Sequence, residues 1–201
     1  KEFLRLTTAS IIDVFRFRAA IDRTEFPNPH GAGMVDDIAS FIPAHMFEEF
    51  ALPYWEQYYS GITTGTRRAH VEDLKRDQLR FLHDIGLSSF DPSISHQLNP
   101  PMLRDEIQVP FGWRLGSFHY RDLDEELVRD FLFQAAADGA SSVFTIIEGT
   151  LSTDEGCRKV MAFKAAGEEA EQLLASGCSR QELGSYVSER GKARFWEHFP
   201  E

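Results

Sequence analysis

Between Arg67 and Glu148 the chain repeatedly runs a short apolar strand into a charged or imidazole residue, and a helix pattern separates most of these strands. Arg67-Arg68-Ala69-His70-Val71-Glu72 comes first, followed by Leu87-Ser88-Ser89-Phe90-Asp91. Val109 to Leu115 then leads to His119, and Ser142-Val143-Phe144-Thr145-Ile146-Ile147 ends at Glu148. Strands alternating with helices call for a parallel sheet, and parallel strands in one sheet or barrel all present their C-terminal ends at the same edge. His70, Glu72, Asp91, His119 and Glu148 are therefore expected near one face, although they are far apart in sequence. Barrel enzymes build their active sites in this way.

The flanking segments fit the same scheme. Apolar residues at Ile11, Ile12, Phe15, Ala19 and Ala20 predict a helix over 7–22, and a Pro/Gly/His-rich stretch at 26–33 interrupts it. Met34-Val35-Asp36-Asp37-Ile38 reads as a strand exit. Pro43 suits the first turn of a helix that carries Phe47, Phe50 and Tyr54, and Pro53 should kink it. A helix over 75–84 is expected to stop at Gly86, and a short one around Met102–Glu106 follows the Pro92–Asn99 loop. Asp122 with Glu125 reads as a capping box for a helix ending at Gly139. Two helices, 156–175 and 179–199, with Ser179 and Glu182 as a second box, read as a C-terminal helical hairpin. Strand signals appear around 33–37, 67–71, 87–91, 109–115 and 142–147, too few for the eight of a closed barrel. The remaining strands are expected upstream of Lys1.

Composition narrows the class. A formal net charge of −11, from 32 acidic against 21 basic residues, and the lack of a basic run exclude a phosphate-backbone binder. No apolar run approaches a membrane span and no signal peptide is visible. Cys157 and Cys178 have neither metal-ligand spacing nor a disulfide framework, which suits reduced thiols in the cytoplasm.

Met34-Val35-Asp36-Asp37-Ile38 followed by Pro43-Ala44-His45-Met46-Phe47-Glu48-Glu49-Phe50-Ala51-Leu52-Pro53-Tyr54 resembles the uroporphyrinogen decarboxylase superfamily. Members carry an Asp-containing strand exit and then Ser-Pro-x-x-Phe-x-x-Phe-x-x-Pro-Tyr on the next helix. His70-Val71-Glu72 falls where the corrinoid methyltransferases of the family carry His-x-Cys. Leu82 to Asp91 is similar to their helix, Gly turn and strand, and Gly116-Ser117-Phe118-His119 lies near their Gly-Asn loop. The likeness spans residues 7–163. It implies an α/β fold of the (β/α)8 TIM-barrel type, of which this chain holds the C-terminal strands and helices, with residues 164–201 as an extension. It further implies a methyl transfer between a small substrate and a corrinoid carried by a partner protein, usually with zinc, or else a cofactor-free decarboxylation of a tetrapyrrole-like polycarboxylate. Glu72, and Glu148 at the last-strand position, stand where the methyltransferases have thiolates.

The candidate metal ligands are His70, Glu72 and Glu148, an N/O set that admits zinc, iron or manganese. The competing reading of these residues is a structural ion pair with Arg68 or Arg114. His119 is the candidate general acid/base and Asp37 the candidate substrate-facing carboxylate, while Asp36 would cap a turn. Phe111 and Trp113 read as core. His30, His45, His83, His96 and His198 join no constellation. The open edge of a partial barrel predicts a homo-oligomer. A non-catalytic domain working through the acidic C-terminal hairpin is the reading from another class.

Overall fold

A computed structural model describes residues 1–196 and shows a mixed α/β chain with five strands in two parallel sheets. His198 and the end of the anticipated 179–199 helix lie outside the described residues. Contacts divide the chain into two units. One comprises Lys1–Pro92 with Glu106–Pro110, and the other Ser93–Asp105 with Phe111–Glu201.

The first unit opens with α1 (Glu2–Asp22), then β1 (Gly31–Val35), α2 (Ala44–Phe50) and α3 (Leu52–Ile62). Pro53 does more than kink the predicted helix. The chain breaks at Ala51 and restarts with the proline in the first turn of α3, where its missing N–H costs nothing. β2 (Thr66–His70) and β3 (Ser89–Asp91) complete the unit's sheet, ordered β1-β2-β3. Parallel registry places Val35 opposite His70, and His70 opposite Asp91. One face of this sheet is covered. Met34, Ala69 and Phe90 are buried there, and Phe47 stacks on Phe81 at 5.0 Å and meets Trp55 edge-on at 5.3 Å. Tyr59 is fully buried and donates its hydroxyl hydrogen to the Arg68 carbonyl at 2.5 Å.

The segment expected as an α-helix over 75–84 is a 3-10 helix, Arg76–Leu82. Gln78 is fully buried within it. Its Nε2 donates to the Ile42 carbonyl at 2.7 Å, and its Oε1 accepts from the Lys75 N–H at 2.6 Å. These bonds hold the tighter winding, which a longer i to i+4 ladder would have to break. Gly86 closes the segment at φ 65, as the sequence suggests.

In the second unit β4 (Gly112–Leu115) pairs in parallel with β5 (Ser142–Thr145). Around them lie α4 (Pro100–Glu106), α5 (Glu125–Ala137), α6 (Asp154–Ala175) and α7 (Glu189–Arg194). Phe111 and Trp113 are buried, in agreement with their reading as core. The N-cap of α5 is Asp124, not Asp122: its carboxylate accepts from the Leu127 N–H at 3.0 Å. Asp122 instead ends the 3-10 turn Ser117–Arg121. The anticipated boundary at 163/164 falls inside α6, which is continuous to Ala175.

The predicted second helix of the hairpin is two short elements, a 3-10 helix (Gln181–Tyr186) and α7. Ser179 and Glu182 do form the reciprocal pair, with the Ser179 N–H donating to Glu182 Oε2 at 2.7 Å and the Glu182 N–H to Ser179 Oγ at 3.3 Å. Ser188 interrupts the run because its N–H and hydroxyl both satisfy Asp130, a carboxylate only 1% exposed on α5. Among the described residues no helix is long and apolar enough to cross a membrane.

The start of β1 demands glycine. Gly31 has φ +123, and a Cβ there would lie 2.2 Å from Thr66 Oγ1. Gly31→Ala should therefore lower stability by about 2–4 kcal/mol, from backbone strain plus overpacking, measured by denaturant unfolding.

Candidate metal centre

The described residues contain one group of three acidic or imidazole side chains close enough to share a metal: Asp37, His70 and Glu72, whose donor atoms all lie within 4.8 Å of one another. Each arrives from a different piece of local structure. His70 is the last residue of β2, the central strand, and its side chain is 22% exposed. Val71 turns inward and is fully buried, so Glu72 returns to the side of His70 even though the strand has ended. Asp73 then turns the chain at φ 51, a left-handed conformation that Asp tolerates.

The two adjacent aspartates after β1 divide their work. The Asp36 N–H donates to the His70 carbonyl at 3.0 Å, which extends the strand pairing by one bond. Asp36 Oδ1 accepts from the Ala39 N–H at 3.0 Å, and Oδ2 accepts from the Trp55 indole N–H at 2.8 Å. Asp36 is thus a turn cap anchored to α3, and this anchoring sends Asp37 toward β2. Asp37 Oδ1 lies 3.5 Å from His70 Nε2, and Glu72 Oε1 lies 3.5 Å from the same nitrogen.

On its other side His70 Nδ1 lies 2.8 Å from Asp91 Oδ2. The site therefore gathers three carboxylates around one imidazole at the C-terminal edge of the sheet. Asp91 was visible in the sequence as a strand-end acid before a proline, but its contact with His70 depends on strand registry. Arg68, one of the two cations considered as an ion-pair partner, is exposed and forms no salt bridge among the described residues. Arg114 reaches Ser93 Oγ through Nη2.

The remaining sequence candidates belong to the second unit. Glu148 was expected at the end of a buried apolar run. It is exposed instead, as are Ile146 (40%) and Ile147 (64%), because β5 stops at Thr145 and the chain goes on into a 3-10 turn. His119 lies on the 3-10 turn Ser117–Arg121, is 5% exposed and stacks obliquely on Phe118 at 4.1 Å. Burial pushes its pKa down to about 4. Asp122 opposes that shift, while Arg194 and His96 reinforce it. His119 is accordingly a neutral imidazole at pH 7, and its burial disfavours protonation.

No family model and no curated relative matches the chain. Among solved structures, it is similar to a methyltransferase from Methanosarcina mazei, at 15% identity and a TM-score of 0.55. The match covers 71% of this chain and 42% of that one, so the chain spans less than half the length of this neighbour. The likeness supports a partial, barrel-like arrangement of parallel strands and helices.

A depressed histidine pKa has a definite sign in stability. The unfolded chain takes up the proton below about 6.5 and the folded one only below about 4, so folding is favoured at higher pH. Stability should fall as pH drops through that window, by on the order of 3 kcal/mol, and His119→Gln should flatten that part of the profile. Urea titrations between pH 7 and pH 4, with NMR of the His119 ring protons, check both statements.

Proposed function

We propose that this chain is the metal-binding portion of a methyltransferase of the uroporphyrinogen decarboxylase superfamily. It would act on a small substrate, with a corrinoid supplied by a partner protein. The observation that carries the reading is the pair of 3.5 Å separations from His70 Nε2 to Asp37 and to Glu72. Two N/O ligands bound at about 2.0–2.2 Å in a tetrahedral site stand roughly 3.3–3.6 Å apart, so each of the two carboxylates is already at ligand spacing from His70 Nε2. The set, one imidazole and two carboxylates, suits zinc and also the harder manganese and iron.

His70, Asp37 and Glu72 would hold the ion, with Asp37 taking a ligand role in place of the substrate role its sequence position suggested. A bound divalent metal supplies Lewis acidity, activating a thiol or polarising a methoxy oxygen. The chain's own residues do the rest. The β2 exit fixes the imidazole, the Asp36 turn fixes Asp37, and the two carboxylates lower the charge of the centre. Glu148 and His119 remain outside this ligand set. The neighbour described above is a methyltransferase, which agrees with the reading at the level of fold.

Arg68 favours one alternative. It lies two residues before His70 on the same side of β2 and is exposed, as a cation for substrate carboxylates would be in a metal-free decarboxylase.

Metal content by mass spectrometry separates the two. The purified chain should hold about one equivalent of a divalent metal. His70→Ala should weaken that binding by more than the roughly 10–100-fold that losing an outer-sphere partner costs, and should abolish methyl transfer to a corrinoid followed by its absorbance. A metal-free protein whose decarboxylation is insensitive to chelators would establish the alternative.

A further inference from the structure

Three carboxylates surround the His70 ring, and their distances sort them. Asp37 and Glu72 stand at 3.5 Å from Nε2, while Asp91 Oδ2 stands at 2.8 Å from Nδ1. A separation of 2.8 Å is too short for two ligands of one tetrahedral ion at the usual bond lengths, and it is the length of a charge-assisted hydrogen bond. A carboxylate has only acceptors to offer, so the hydrogen of this bond belongs to His70 Nδ1. In the neutral ring this leaves Nε2 as the nitrogen with the lone pair, on the side of Asp37 and Glu72.

We infer that Asp91 is a positioning residue. It selects the Nδ1–H tautomer of His70 and sets the ring orientation, and so presents Nε2 to the metal. This inference rests on the metal-centre reading above for its purpose, though not for the tautomer itself.

Backbone geometry supports the assignment independently of the side-chain distance. His70 and Asp91 are registry partners on adjacent parallel strands, so their side chains leave the same face of the sheet about 4.8 Å apart at the backbone. The Val71 N–H donates to the Asp91 carbonyl at 3.1 Å immediately beyond the pair, which prevents slippage at that point. Pro92 follows and cannot donate to a further ladder bond, so Asp91 is held as the terminal residue of β3. The carboxylate is 29% exposed, less than Asp37 at 53% or Glu72 at 42%, as expected for a group serving the ring from the sheet side. Metal-bound histidines generally have such a partner on the second nitrogen, and its loss costs about 10–100-fold in affinity.

The test uses the whole chain and three variants: Asp91→Ala, Asp91→Asn and His70→Ala. Nitrogen-15 shifts of the imidazoles, assigned by comparison with His70→Ala, should show His70 of the metal-free wild type as the Nδ1–H tautomer. In Asp91→Ala the Nε2–H form should appear. Zinc affinity, measured by chelator competition, should fall about 10–100-fold in Asp91→Ala and less in Asp91→Asn, whose amide oxygen can still accept from Nδ1. With cobalt bound in place of zinc, the d–d absorption envelope of Asp91→Ala should match wild type, since no ligand has been removed.

A wild-type His70 in the Nε2–H form would overturn the inference, whether or not metal binds. So would zinc affinity in Asp91→Ala within about twofold of wild type. A changed cobalt envelope would make Asp91 a ligand and would overturn the positioning role. Absence of metal from wild-type protein, with His70 still Nδ1–H and responsive to Asp91→Ala, would remove the proposed function while leaving the tautomer assignment standing.

Discussion

Registry between three short parallel strands is the constraint on which the candidate site depends. β2 lies between β1 and β3, with Val35 and Asp91 opposite His70 on its two sides. Because side chains alternate along a strand, a slip of one residue would carry Asp91 to the covered face and bring Phe90 to the imidazole. The buried face resists that slip. Met34, Ala69 and Phe90 pack there, and the Tyr59 hydroxyl is bonded to the Arg68 carbonyl in the middle of β2. Hydrophobic burial on one side of the sheet therefore determines the hydrogen-bond geometry on the other.

A second level of control comes from the turns. Two aspartates stand in succession after β1, and only one of them reaches the site. Asp36 satisfies backbone donors and the Trp55 indole, so its carboxylate is committed to structure. Asp37 follows with no such bond and stands beside His70 Nε2. At β2 the buried Val71 and the left-handed Asp73 confine Glu72 to a one-residue excursion before the chain turns away. The resulting donors are all nitrogen and oxygen. Compared with a set containing thiolates, such a donor set is harder and would favour oxygen-preferring cations.

The strands could be read in the amino-acid order, but not their division between two sheets, where a single sheet or barrel was expected. All five strand signals correspond to strands, and the pauses at Gly86 and Gly139 occur at φ 65 and φ 111. The differences are instructive. Asp122 and Asp124 are both competent caps, and the choice went to Asp124 because the 3-10 turn through His119 already uses Asp122. The 75–84 segment has helical composition, yet the buried Gln78 bonds draw it into 3-10 winding. The C-terminal hairpin breaks at Ser188 because Asp130, fifty-eight positions earlier, needs partners inside the unit. Each departure comes from a contact distant in sequence, to which local propensity is blind.

For the site itself, sequence alone placed His70 and Asp91 at the C-terminal ends of their strands, while His119 and Glu148, expected at the same face, belong to the other unit. Sequence also determined that His70 and Glu72 would share a side, because spacing by two is a local property of extended chain. Tertiary structure decided which carboxylates accompany them. Asp37 and Asp91 approach His70 through strand pairing and a capped turn, and the exposure of Glu148 follows from where β5 ends. The physical reason is that neighbours along the chain are set by covalent geometry, whereas neighbours across a sheet are set by registry. Registry in turn is chosen by the packing of residues on the opposite face.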